Sequence, residues 1–361
     1  MRIASTKKVV AGTILAQTIY NENGIILIKE GKRLTEKLLQ RLLNNGITYI
    51  YIEDGKTDDI NLDQVIPDKL RIEATNTIKE TFLELKELGL GQRSYVLEKR
   101  SEELSNVVEQ ILSEIQLSEN ALSLLADIFV SDNYVFQHSL NVTIYSLTIG
   151  VEMKFTKKQL TEIGVGALLH DIGKMFIEPD ILQKPAKLSD EEFEIIKGHT
   201  QIGYDYLRKH HYIPAVVSHC AYQHHERLDG SGYPRGIQGE DIHPYAKVIG
   251  IADVFDAVTS SRVYREAMLP HEGLEILYAG AVDLFDKEMI EAFKRSVVAY
   301  PNGLTLKLSD GRVGVVLRQN SNSCDRPVIR ILEENEEKIT EPYEVDLEQT
   351  VNVTVKQVMV D

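Results

Sequence analysis

The chain has 361 residues, 43% of them hydrophobic and 26% charged, a balance typical of a soluble globular protein with two or three domains. A net charge of −15 excludes a general nucleic-acid binder, which needs a basic footprint to displace counterions from phosphates. Only Cys220 and Cys324 occur, far apart, so neither a disulfide framework nor a thiolate zinc site is expected, and no run approaches the ~18 apolar residues of a membrane span.

The opening MRIASTKKVVAGTILA is soon interrupted by Gln17 and residues 21–23, which makes it a poor signal peptide, and the expected location is cytoplasmic. Residues 1–60 predict a small α/β domain. GTILAQTIY and GIILIKEG are short strands flanking a turn, TEKLLQRLLNNG is a helix with Thr35 as its N-cap and Gly46 at its end, and TYIYIED is a strand. Residues 61–118 begin with the acidic tract around EDGKTDDINLDQ and continue with charged, helically spaced apolar residues. They are expected to form a linker and a helical arm, with a homodimer contact through the arm. Residues 119–296 are the apolar, helix-rich centre. In it SDEEFEIIKGHTQIGYDYL opens on a capping box of Ser189 and Glu192, and TKKQLTEIGVGALLHD places Leu160, Gly164 and Ala167 on the face that Asp171 continues. Residues 297–361 change character. LTLKLSDGRVGVVLRQ predicts a hairpin around Asp310-Gly311, and RPVIRIL and VNVTVKQVMV are further strands of a small β module. The expected fold class is mainly α, a helical bundle between a small N-terminal α/β domain and a small C-terminal β module.

Chemistry concentrates in the centre. HHERLDGSGYP, residues 224–234, sets His224 beside His225, and adjacent imidazoles are hard to bury as ordinary core residues. Upstream lie His138 in QHSLNV, His170 and Asp171 in LLHDIGK, and His199 in IKGHTQIG. Downstream lies Asp253 in GIADVFDAV. The gaps between them each match about one helix–turn–helix hairpin, so successive side chains project inward from successive helices, a known way to build a metal site in a helical core. AKVIGIADVFDAV is apolar nearly all round yet carries Asp253 and Asp256, and buried carboxylates cost several kcal/mol unless paired or bound to metal. Imidazole with carboxylate suits iron, manganese, cobalt, nickel or zinc. Seven such side chains exceed the needs of one ion and match two bridged ions, which can clamp the oxygens of a phosphoryl transfer. His210 and His211 are expected to be exposed in a loop. His219 lies off the helical face of His224, and His243 and His271 sit at element boundaries, so none of these is expected to be a ligand.

HDIGK at 170–174, HHERLDGSGYP at 224–234 and ADVFDAVTSSRVYR at 252–265 resemble the HD-GYP family, bacterial phosphodiesterases of the HD superfamily that open cyclic di-GMP. IEPDILQKPAKLSDEE at 177–192 fits the same pattern. The resemblance covers about residues 119–296. It implies metal ligands at His138, His170, Asp171, His199, His224, His225 and Asp253, with Asp171 bridging two divalent transition-metal ions, iron or manganese. It implies Lys174 at a substrate phosphate, Arg262 and Arg265 at the dinucleotide, and Asp256 with the substrate-binding group. The implied reaction is attack of a metal-bridging hydroxide on phosphorus, giving linear pGpG, with further hydrolysis to GMP left open. Mixed cyclic GMP-AMP as substrate, and a non-catalytic cyclic-dinucleotide receptor, stay open as alternatives. Signalling partners would approach through the GYP loop, where Tyr233 shapes the loop or a partner surface. One position departs from the pattern: some members carry a glutamate one turn before the first histidine and hold a third metal with it, and here Tyr134 stands there. A phenol that stays protonated at neutral pH is a poor ligand, and Asp132, with Ser131 and Asn133, looks more like an N-cap, so two ions are expected, with Tyr134 partly lining the substrate cleft.

Overall fold

The computed structural model describes the chain except residues 22–24, 46, 62–64, 89–94, 119–128, 131–133, 183, 185, 261–267, 321–322, 336 and 360–361, and the side chains of 21, 88, 95–98, 129, 130 and 134. Arg2–Ser5, inside the basic opening stretch, forms β1, a strand which that stretch does not suggest. Ile14–Leu15 (β2), Ile19–Asn21 (β3) and Ile26–Ile28 (β4) follow, then helix α1, Glu36–Asn44, and strand β5, Tyr49–Glu53. Thr35 caps α1 as expected, its hydroxyl accepting from the Leu38 amide at 3.3 Å, while the expected stop at Gly46 lies outside the described residues. β1 and β2 both pair antiparallel with β5. The side-chain period of two along β5 turns Ile50 and Ile52 toward Leu39 and Leu42 of α1, and Tyr51 toward the opposite face.

The bundle starts with α2 (Asp68–Leu88) and α3 (Tyr95–Leu117). The expected arm does not stand apart: Ile78, Phe82 and Leu85 of α2 and Leu104, Val108 and Ile111 of α3 belong to the main core. The apolar residues at helical spacing are thus used within the chain. Phe82 meets Phe136 edge-to-face at 5.7 Å, and Arg100 of α3 ties back to Glu84 of α2 at 3.1 Å. A short strand β6, Phe129–Val130, pairs parallel with β3. Then come α4 (Tyr134–Glu152) and α5 (Lys157–Leu169), a 3-10 turn at Ile172–Phe176, α6 (Pro179–Leu182), α7 (Asp190–Lys197), α8 (His199–Leu207), α9 (Ala215–Gln223), α10 (Pro244–Thr259), α11 (Pro270–Ala279) and α12 (Lys287–Ser296). α5 lies at the middle, buried along Ile163–Leu169. A Cβ on Gly164 would fall 2.4 Å from Val108 of α3, so glycine sets how close α3 comes. Among the described residues no helix is long and apolar enough to cross a membrane.

After Pro301 the chain forms a five-stranded antiparallel sheet in the order β10-β9-β8-β7-β11, from Thr305–Leu308 (β7), Val313–Asn320 (β8), Ser323–Glu334 (β9), Glu337–Asp346 (β10) and Val355–Met359 (β11). The β7–β8 hairpin turns at Asp310-Gly311, where Gly311 takes φ +92°. This sheet does not close on itself. Leu306, Val316, Ile329 and Ile331 share a core with Ile3 and Tyr51, the Ile3 amide donates to the Gly303 carbonyl at 2.8 Å, and Arg330 pairs with Asp59 at 2.6 Å. The first and last segments of the chain are therefore packed together.

Candidate metal centre

Five helices deliver the candidate side chains to one place. His138 lies on α4, His170 ends α5, and Asp171 leads the 3-10 turn. His199 opens α8, His224 ends α9 with His225 next, and Asp253 sits inside α10. Two glycines let these backbones touch. A Cβ on Gly173 would fall 1.9 Å from the His199 carbonyl oxygen, and one on Gly250 would fall 2.7 Å from that of His224. The first contact brings Asp171 against His199, and the second brings α10 against His224.

Asp171 is central. Its Oδ1 lies 3.3 Å from His199 Nε2 and 3.8 Å from His224 Nε2, and its Oδ2 lies 3.4 Å from His170 Nε2 and 3.5 Å from His138 Nε2. Asp253 spans the same division, with Oδ1 at 3.1 Å from His138 Nε2 and Oδ2 at 3.5 Å from His225 Nδ1. Two donor groups result, Asp171 with His199, His224 and His225, and Asp171 with His138 and His170, each with its atoms within 4.8 Å of one another. The far ring nitrogens are committed elsewhere. Nδ1 donates to Ala167 O from His170 (2.7 Å), to Ile196 O from His199 (2.6 Å) and to Cys220 O from His224 (3.1 Å). That pattern selects the tautomer whose Nε2 lone pair faces the centre.

The electrostatics ask for cations. Burial alone would raise Asp171, but the Lys174 ammonium and then His170 hold it well below the usual carboxylate range; Asp253 is held low by His138 and His225 in the same way. Burial and neighbouring imidazoles push His224 and His225 well below the ordinary histidine value, so they are neutral. His138 goes the other way. Burial opposes its charge, yet Asp253 and Asp256 push it up to about 9. Neutral imidazoles and ionised carboxylates are the ligand forms, so His224, His225, Asp171 and Asp253 already stand in them, whereas His138 would release a proton on binding a metal. His170 Nε2 and Asp171 Oδ1 are fully buried with no well-formed hydrogen bond, a costly arrangement that a metal ion at the centre would relieve. The donor set fits a divalent transition metal better than magnesium or calcium, which prefer all-oxygen shells.

Other expected residues fall elsewhere. Asp256, expected among the substrate-binding residues, is 1% exposed and turned to partners inside the protein: Oδ2 meets His138 Nδ1 at 2.7 Å, and Oδ1 accepts from Asn141 Nδ2 at 2.8 Å and Ser260 Oγ at 3.0 Å. It orients His138 instead. Lys174 turns onto Asp171, Nζ to Oδ2 at 2.5 Å, with its side chain 17% exposed. Arg262 and Arg265 lie outside the described residues, as do Ser131, Asp132 and Asn133; Tyr134 opens α4, its side chain not described. His210, expected to be exposed, is buried against the Tyr206 ring at 5.1 Å, whereas His211 is exposed. His219, His243 and His271 stand outside both donor groups.

A family model described as "HD domain" matches residues 97–289, just over half of the chain. The chain belongs to the HD domain family. Its resemblance to the HD-GYP phosphodiesterases is borne out by the relatives of this HD domain protein. A cyclic di-GMP phosphodiesterase of Pseudomonas aeruginosa is 34% identical over 241 residues, 67% of this chain and 58% of the relative. One of Thermotoga maritima is 37% identical over 206 residues, 57% of this chain and 55% of the relative. A 3′3′-cGAMP-specific phosphodiesterase of Vibrio cholerae is 36% identical over 170 residues, 47% of this chain and 38% of the relative. The chain thus spans about half the length of the curated relatives it matches. A solved HDG"Y"P protein from Bdellovibrio bacteriovorus superposes with a TM-score of 0.49 at 19% identity, covering 81% of this chain and 97% of that one.

Sequence reasoning missed what braces the loop of this HD domain. Glu226, 5% exposed, accepts from the Arg235 amide at 3.0 Å and the Ile237 amide at 3.2 Å, tying the start of the loop to the backbone just after Gly232-Tyr233-Pro234. Arg227 donates to the carbonyls of His224 (3.2 Å) and Glu226 (2.8 Å) and lies 5.0 Å from the Phe285 ring centroid. Gly232 has no room for a side chain, since a Cβ would fall 2.4 Å from both Arg227 N and His225 O. The signal for Glu226 was its position directly after the two histidines.

Proposed function

We propose that the chain is a metal-dependent phosphodiesterase that opens cyclic di-GMP to linear pGpG and further to GMP. One observation carries the reading: a single buried carboxylate, Asp171, turns one oxygen to His199 and His224 and the other to His170 and His138. The names of the relatives from Pseudomonas aeruginosa and Thermotoga maritima support cyclic di-GMP as the substrate.

His138, His170, Asp171 and Asp253 would hold one divalent ion, and Asp171, His199, His224 and His225 the other, with iron or manganese as the metal. Bound there, the ions supply Lewis-acid charge stabilisation and a nucleophile from water at neutral pH. The protein's own part is positional. The Nδ1 hydrogen bonds lock four imidazoles in place, the buried helices around Asp171 exclude bulk water, and the braced loop fixes His225. Lys174, whose ammonium lies on Asp171 Oδ2 at the edge of the centre, would pair with a phosphate oxygen of the substrate. Arg262 and Arg265 are assigned to the outer part of the dinucleotide.

The test is anaerobic purification, loading with iron or manganese, and incubation with cyclic di-GMP and with 3′3′-cGAMP, followed by mass identification of products. Linear pGpG or GMP supports the proposal. Hydrolysis of the mixed dinucleotide alone would match the specificity named for the Vibrio cholerae relative. Binding of either dinucleotide without turnover would make the protein a receptor, and neither binding nor turnover refutes the proposal.

A further inference from the structure

Helix α7, like the short α6 before it, buries none of its residues. Polar contacts hold it instead. Ser189 and Glu192 form the reciprocal cap at its start, and Lys184 Nζ reaches both Glu192 carboxylate oxygens at 2.7 Å. Its apolar side chains remain open, with Phe193 45% and Ile195 46% exposed. Phe193 nevertheless sits at a defined place. It meets the Tyr233 ring edge-to-face at 6.4 Å, and Tyr233 stacks on His225 at 4.5 Å with 28° between the planes. The Lys197 ammonium lies 5.0 Å from the Phe193 centroid and 5.5 Å from that of Tyr233. An open aromatic face thus stands one ring away from a candidate metal ligand, with a cation between the two rings.

We propose that Phe193, steadied by Tyr233 and Lys197, is the stacking platform for a purine base of the cyclic dinucleotide. The inference rests on the phosphodiesterase reading and adds to it a residue that contacts the base. A nucleobase lies one sugar away from its phosphate, so a substrate whose phosphate occupies the centre between Asp171 and His225 carries its base out to about this wall. Stacking needs an exposed π face and tolerates any purine, and Lys197, whose ammonium also pairs with Glu194 at 2.6 Å, is held against the Phe193 ring. Among the described residues, Phe193 is not one of the apolar side chains that form or pack against the main core.

The chain has no tryptophan, so Phe193→Trp installs a single indole reporter at the wall. The expected result is rapid quenching of its fluorescence on stopped-flow mixing with cyclic di-GMP, ahead of turnover. Phe193→Ala raises KM about tenfold or more while kcat falls less than about threefold, and Phe193→Tyr restores KM. An unchanged KM in Phe193→Ala, or an unquenched Phe193→Trp protein that still turns over the dinucleotide, overturns the platform and leaves the phosphodiesterase reading standing. A wild-type protein that neither binds nor hydrolyses a cyclic dinucleotide overturns both.

Discussion

Replacing Asp256 with Asn separates orienting a ligand from binding substrate. Asp256 Oδ2 takes the His138 Nδ1 proton at 2.7 Å, and Oδ1 takes hydrogen bonds from Asn141 and Ser260. All three partners donate, so an amide must point its NH2 at one donor and leave that pair unsatisfied inside a buried site, at a cost of about 1–3 kcal/mol. The same change removes the negative charge that keeps the His138 ring basic and fixes its tautomer. Loss of such a carboxylate–histidine pair lowers metal affinity about 10- to 100-fold, or ~1.4–2.7 kcal/mol. The assay is competition with a chelator of known affinity, followed by elemental analysis, alongside a thermal melt to show that the variant is folded. A folded Asp256→Asn protein with wild-type metal affinity but a raised KM would refute this reasoning and return Asp256 to the substrate.

Asp171→Ala should abolish turnover and lower metal content, because both donor groups share that carboxylate; normal activity in a folded variant would contradict the two-ion arrangement. Lys174→Ala should keep its metals, by elemental analysis, while turnover falls about 10²-fold, as for loss of other charge-stabilising groups. Gly173→Ala should be among the most damaging small substitutions, since its Cβ would fall 1.9 Å from the His199 backbone oxygen. Its melt should show a loss of at least ~1–3 kcal/mol together with reduced metal content, and a wild-type melt would mean that the turn and α8 do not touch as described.

Local chemistry made much of this legible. Thr35 and the Ser189–Glu192 pair announce their helices because caps satisfy particular backbone donors, and Asp310-Gly311 announces its hairpin because the turn needs a positive φ. The seven candidate ligands were visible because imidazoles and carboxylates interrupt apolar helix faces, which burial penalises without a partner. What was not visible depends on partners distant in sequence. α2 and α3 read as a charged arm, and only packing against Phe136 and α5 makes them core. β10, which holds Pro342 and many charges, has no strand pattern to mark it in the sequence. It is an edge strand with a register shift between Lys338 and Tyr343, which is where a proline and exposed charges are tolerated. Asp256 shows the limit at a single residue: its spacing gives the helix, but the direction of its side chain depends on His138, more than a hundred positions earlier.

The meeting of the first and last segments sets an order of assembly. Tyr51 and Asn302 touch across 251 positions, and closing a flexible loop of that length costs roughly 5 kcal/mol in chain entropy. A random chain gains little from forming that contact early. Once the helices between them have condensed, β5 and β7 are presented side by side and the cost has been met by other contacts. The joint of Ile3, Tyr51, Leu306 and Ile329 is therefore expected to form after the helices, and hydrogen exchange should find it opening before α5 and α10 do.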